Sequence, residues 1–173
     1  MANRIYSNPR IATRADHLHV ITLACLFVSL AMHGITAPAQ EGAHGSAAHR
    51  HHLSAYIGGT TVNEGDHTGF TLGVDYEYVV NQQFGIGFVA EHAFDDVDAT
   101  SVFAVIDLHL TEAAVLQVGP GIEFEGDEEF IVGRIGAYYE LGFGSITAAP
   151  SLFFDYSGET TAIVYGLIIG RKF

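Results

Sequence analysis

The sequence predicts an all-β fold, an eight-stranded antiparallel up-and-down transmembrane β-barrel, and three observations carry that prediction. From His52 to Phe173, apolar residues recur at every second position in segments about as long as a tilted membrane-spanning strand. Between these segments, tight turns alternate with acidic loops, as in the hairpins of a meander that closes on itself. The composition agrees: 20 Gly, 12 Phe and 8 Tyr with no Trp and 16% charged residues suits strands better than packed helices.

The first segment, residues 1–39, reads as a secretory signal peptide. Arg4, Arg10 and Arg14 precede a nearly unbroken apolar stretch over residues 20–35, and Ala37-Pro38-Ala39 supplies the small residues of a cleavage point. The stretch contains His33 and Gly34 and falls short of the roughly 20 residues that a spanning helix needs. Too few apolar residues precede Cys25 for it to be a lipidated cysteine. Cleavage would remove the single cysteine and three arginines, leaving a chain without disulfides that is more acidic than the full sequence at −13. With 7 Lys+Arg against 20 Asp+Glu, neutralising nucleic-acid phosphates is not an expected role. No long apolar segment follows the signal, so only a closed barrel could carry the remaining chain across a bilayer. Residues 40–51 read as a linker and residues 52–173 as the barrel.

The strands follow in order. The first, over residues 53–61, alternates weakly. Residues 69–80 alternate clearly, with Phe70, Leu72, Val74, Tyr76, Tyr78 and Val80 on one face and Thr71, Gly73, Asp75 and Glu77 on the other. Residues 84–94 set Phe84, Ile86, Phe88 and Ala90 against Gly85, Gly87, Val89 and Glu91. Residues 102–110 set Val102, Ala104, Ile106 and Leu108 against Asp107 and His109. In residues 115–124, Leu116, Val118, Pro120, Ile122 and Phe124 oppose Gln117, Gly119, Gly121 and Glu123. Residues 131–141 place Arg134, Gly136, Tyr138 and Glu140 opposite Ile131, Ile135, Ala137 and Tyr139. Residues 146–156 place Thr147, Ser151 and Asp155 opposite Ile146, Leu152 and Phe154, and residues 161–173 place Gly166, Gly170 and Lys172 opposite Ile163, Tyr165, Leu167 and Phe173. Pro120 and Pro150 fall in mid-strand, where a missing N–H costs a ladder hydrogen bond.

Periodicity does not say which face is inside. Strand length, the export signal and the density of glycine on the polar face favour a membrane barrel with a polar lumen. Aromatic residues gather toward strand ends, as in interfacial girdles: Tyr76, Tyr78, Phe84, Phe94, Phe124, Phe154, Tyr156 and Phe173. With its cleavage site, eight alternating segments and a last strand running from Tyr165 to Phe173, the chain resembles small bacterial outer-membrane barrels of the OmpA/OmpX type, the porin-like outer-membrane β-barrel domains. The resemblance implies a Gram-negative outer-membrane location. It also implies contact with outer-membrane lipid and lipopolysaccharide, and a monomeric state. By the same resemblance the barrel-assembly machinery reads Phe173, with Tyr165 and Leu167 on the same face; Arg171 departs from the pattern.

A polar lumen would hold Asp75, Glu77, Glu91, Asp107, Glu123, Glu140 and Asp155 against Arg134 and Lys172, with His109 titratable. Arg134 is the expected hub, because a planar guanidinium bridges two carboxylates, and Glu123 and Asp155 lie on its flanking strands. An eight-stranded barrel has room for side chains and some water rather than a wide channel. The expectation is a structural or envelope role with limited cation or small-solute passage. The alternative is a soluble periplasmic lipocalin-like barrel binding a small apolar ligand.

No enzyme activity, cofactor or metal is expected. His44, His49, His51 and His52 match no closed metal site, and the loop acids around Asp95 and Asp127 read as solvated. His92 is the outward strand histidine, and no outward serine accompanies it as a nucleophile would.

Overall fold

The computed structural model describes residues 50–62, 67–158 and 160–173. The expected signal peptide, His44, His49 and the loop acids Glu64 and Asp66 lie outside the described residues. Eight strands follow in chain order: β1 (His51–Val62), β2 (His67–Val79), β3 (Phe84–Ala93), β4 (Ala99–His109), β5 (Ala114–Glu125), β6 (Glu128–Tyr139, continued by Leu141–Phe143), β7 (Ile146–Tyr156) and β8 (Thr161–Lys172). Each pairs antiparallel with the next, and β1 also pairs with β8 from His52↔Lys172 to Val62↔Ala162. The sheet therefore closes into the eight-stranded up-and-down barrel that the alternation predicts, and closure removes the unpaired edges of an open sheet. The weakly patterned β1 is a full 12-residue strand because it is held on both sides, by β2 and by β8.

Both mid-strand prolines sit where a ladder is interrupted. The β6–β7 pairing runs to Tyr138↔Ser151 and resumes at Leu141↔Ala148, omitting the positions opposite Ala149 and Pro150. Having no N–H, Pro150 cannot complete the rung, and β6 breaks at Glu140. The β4–β5 pairing likewise passes from Phe103↔Gly121 to Ile106↔Val118, skipping Pro120.

Local chemistry fixes the turns. The side chain of Asn81 accepts hydrogen bonds from the backbone N–H groups of Gln83 and Phe84 at 2.8 and 3.1 Å, and Thr111 does the same for Ala113 and Ala114 at 3.2 and 2.9 Å. At the opposite end, the acidic stretch over residues 125–129 is mostly strand, and its turn shrinks to Gly126 and Asp127, with Gly126 at φ 60°.

The two faces of the wall differ in chemistry. Outward side chains are large and apolar around the circumference, including Ile57, Leu72, Phe88, Ile106, Ile122, Ile135, Leu152 and Ile169, each exposed. Inward side chains include Asp75, Glu77, Glu91, Asp107, Gln117, Arg134 and Asp155, each buried. A water-soluble barrel has the reverse arrangement, and an apolar wall of this extent has no favourable solvent except lipid. The chain is therefore a transmembrane β-barrel, and the lipocalin-like alternative is not favoured.

The interior is less polar than the sequence suggests. Tyr56, Val115, Tyr138, Ala149, Phe153, Val164 and Ile168 form one buried apolar cluster, and Val89, Phe103, Val105 and Val132 another. Glycines make room for the large members. Gly58 and Gly166 are register partners across β1 and β8, and the Tyr56 hydroxyl lies over both. A side chain at Gly166 would meet that hydroxyl and, more tightly, the backbone of Ile57 and Gly58, which cannot move far. Gly166→Val should therefore destabilise the barrel by about 1–3 kcal/mol, the usual cost of overpacking. The check is the temperature at which the folded band is lost on a detergent gel; an unchanged temperature would contradict the packing described.

Candidate functional site

The lumen is the candidate site, and its polar groups stack in layers between the two mouths. At the tight-turn mouth, His109 Nε2 lies 2.6 Å from Glu77 Oε1, and Lys172 Nζ donates to Glu140 Oε2 at 2.6 Å. His52 stands between the two acids, its Nδ1 at 3.4 Å from Glu140 Oε1 and 3.8 Å from Glu77 Oε2, and its Nε2 at 2.8 Å from the Thr147 hydroxyl. Two carboxylates here face one lysine and two imidazoles, so this layer can balance its own charge.

In the next layer, Gln117 Nε2 donates to Asp75 Oδ2 at 3.1 Å and to Asp107 Oδ1 at 3.0 Å. Gln117 and Asp107 are completely buried, with relative exposures of 0%. Three strands, β2, β4 and β5, supply this neutral bridge between two acids.

Above it lies Arg134, 2% exposed. Its Nε and Nη2 donate to Asp155 at 2.8 and 2.6 Å, and its Nη1 and Nη2 to Glu91 at 3.0 and 2.5 Å. Both pairs are bidentate, the geometry in which a guanidinium binds carboxylates most strongly. The rings of Phe103 and Phe153 flank the cation, with centroids 3.9 and 4.9 Å from Cζ. Each ring lies over a cross-strand register partner that is glycine, Phe103 over Gly121 and Phe153 over Gly136, and there a larger side chain would displace it. The strands thus hold the guanidinium from four directions.

Arg134 joins Asp155, its register partner on the adjacent strand, to Glu91 on β3. Glu123 does not join it as the sequence led us to expect; it accepts a hydrogen bond from Ser101 at 2.9 Å near the loop mouth. The difference is one of barrel geometry: in a narrow closed barrel a long side chain reaches across the lumen as readily as along the wall, so strand adjacency selects Asp155 but not the second partner.

On the outer wall, His92 is 9% exposed although alternation directs it outward. The Phe94 ring meets it edge-on at 4.3 Å, its Nδ1 lies 2.9 Å from the Thr100 hydroxyl, and its Nε2 lies 3.9 Å from Asp98. Thr100 is the hydroxyl partner that a search for serine overlooks; the group pins the loop end of the β3–β4 hairpin. Among the described residues, no group of three or more His, Cys, Asp or Glu is arranged to hold a metal ion.

At the chain's end, Tyr165 and Leu167 face outward, and Phe173 stacks on His51 with ring centroids 5.6 Å apart. Backbone hydrogen bonds link His51 and Phe173 in both directions, at 3.1 and 2.9 Å. With Tyr76 and Tyr78, also in ring contact with His51, these residues form an aromatic girdle at the tight-turn rim.

No protein-family model matches the chain, and no curated protein matches it in sequence. Among solved structures, the N-terminal β-barrel domain of Pseudomonas aeruginosa OprF is similar at a TM-score of 0.56 with 16% identity, covering 73% of this chain and 99% of that one. Neisserial surface protein A is similar at a TM-score of 0.50 with 15% identity, covering 74% of this chain and 100% of that one. The likeness is one of fold: small membrane barrels with the same eight-stranded closure.

Proposed function

We propose that this chain is an outer-membrane barrel with a structural role in the cell envelope, whose lumen passes small cations or small solutes only to a limited extent. The observation that carries this reading is the Arg134 clamp: a buried guanidinium, two bidentate carboxylates and two aromatic rings occupy the lumen together. An open pore needs water-lined space, and an eight-stranded barrel filled in this way has little. The excess of acids over fixed cations along the path favours cations among whatever passes. The apolar wall is covered by outer-membrane lipid and the loop rim by lipopolysaccharide. The barrel-assembly machinery reads Phe173 with Tyr165 and Leu167, and the barrel works as a monomer without enzymatic activity.

Planar-bilayer recording of the purified, refolded protein tests this reading. The expected result is a small, cation-preferring conductance or none, far below that of a wide porin. A large and unselective conductance from the wild-type protein would overturn it.

A further inference from the structure

Positive charge is scarce in the barrel and gathered in one place. Of the basic residues between positions 50 and 173, Arg134 lies in the lumen, and the others, Arg50, Arg171 and Lys172, stand at the tight-turn rim where β1 meets β8. Among the described residues, the acid exposed at that rim is Glu112, whose turn joins β4 to β5 on the far side of the barrel; Glu77 and Glu140 are buried in the lumen. The loop rim has the opposite balance. Asp95, Asp96, Asp98, Asp127 and Glu128 are exposed there, and no Lys or Arg accompanies them among the described residues.

The direction of each cation decides what it can reach. Lys172 turns inward and is neutralised by Glu140. Arg171, one residue out of phase, faces outward in line with Tyr165, Leu167 and Ile169, between Leu53 of β1 and Ile146 of β7. It is exposed and has no ion-pair partner among the described residues. Arg50 reaches the same face, where its Nη1 donates to the Tyr78 hydroxyl at 3.3 Å. The rim girdle of His51, Tyr76, Tyr78 and Phe173 surrounds this seam, with the Tyr76 hydroxyl 2.8 Å from His51 Nδ1. Aromatic girdles sit at the level of lipid headgroups, and a charge on the outer wall is tolerated near that depth but costly in the hydrocarbon layer. A guanidinium held at headgroup depth is matched in geometry and charge by a phosphate.

We propose that the outer face of the β1–β8 seam, at the tight-turn rim, binds the headgroup of a phospholipid with net negative charge, Arg171 engaging the phosphate diester and Arg50 adding to the attraction. The proposal rests on the reading of the chain as an outer-membrane barrel and names which lipid its wall holds and where. With the loop rim in lipopolysaccharide, the tight-turn rim lies in the opposite leaflet, so the phosphate is that of a glycerophospholipid. The acidic remainder of the barrel repels such a lipid, and a preference for it therefore needs a local cause.

The test is native mass spectrometry of the folded barrel in non-ionic detergent, offered equal amounts of phosphatidylglycerol and phosphatidylcholine with the same acyl chains. The retained phosphatidylglycerol is expected to exceed phosphatidylcholine by about fivefold or more, the increment that one arginine gives at an anionic lipid surface. Arg171→Gln should lower the preference by about fivefold, and Arg171→Lys, which keeps the charge but not the planar fork, should retain part of it. If Arg171→Gln does not fold, Arg50→Gln, outside the strands, should lower the preference in the same direction. Equal retention of the two lipids would overturn the proposal, as would a preference unchanged in Arg171→Gln or, where that variant does not fold, in Arg50→Gln. A heat-modifiable barrel without the lipid preference fails this proposal alone, whereas a protein with no heat-modifiable form fails the barrel reading itself.

Discussion

Arg134→Ala should destabilise the folded barrel by about 3–5 kcal/mol, the cost of removing one partner from a buried ion-paired cluster. Glu91 and Asp155 would then face each other in the lumen with no cation between them, and Phe103 and Phe153 would lose the group that they enclose. The loss should be visible in urea titration of the barrel in detergent, as a lower midpoint at an unchanged slope. The molecules that remain folded should conduct better in planar bilayers, because the guanidinium that spans the lumen from Asp155 to Glu91 is gone. Replacing the cluster as a unit, with Arg134→Met, Glu91→Gln and Asp155→Asn together, should recover much of the lost stability, since no buried charge is then left unpaired. Wild-type stability in the single variant would show that the clamp contributes little to holding the lumen together.

The second large effect is expected on the outer wall. Ile135 faces outward from β6, 53% exposed, between Val118 and Phe154 on the neighbouring strands. Ile135→Arg places a charge in the hydrocarbon layer and should cost about 2–4 kcal/mol if the position lies near the bilayer midplane. In a water-soluble barrel the same substitution on an exposed residue would be close to neutral. Urea titration in lipid vesicles distinguishes the two: a fall in stability of that size supports a lipid-facing wall, and no change opposes it.

Much of this architecture can be read from the residues. Alternation in β2, β3 and β5 identifies the lumen acids Asp75, Glu77, Glu91 and Glu123 because outward neighbours such as Leu72, Phe88 and Ile122 are uniformly apolar. Where both faces carry apolar residues, the period disappears. Phe103 and Val105 on β4 stand among outward Val102, Ala104 and Ile106, and only their shared parity with Asp107 and His109, not their own chemistry, marks them as inner. Of the two partners of Arg134, Asp155 is legible as a neighbour on the flanking strand, whereas Glu91 is not, because it is 43 residues away and is chosen by the width of the closed barrel rather than by the pattern along a strand. His92 reads as exposed, but Phe94 folds over it, a contact that depends on how the turn after β3 runs. The break in β6 is anticipated only in part. Pro150 announces a weak rung, and the structure shows that the interruption falls on the neighbouring strand at Glu140.

The chain is a closed barrel with an apolar wall outside and charge inside. The most direct test of that arrangement is gel mobility of the protein from washed outer membranes in detergent, with and without boiling, alongside the soluble periplasmic fraction. A closed membrane barrel keeps its fold in detergent until it is heated, so the account predicts two bands of different mobility and a protein confined to the membrane fraction. A single band at the same mobility in both samples, from protein recovered in the soluble fraction, would contradict it.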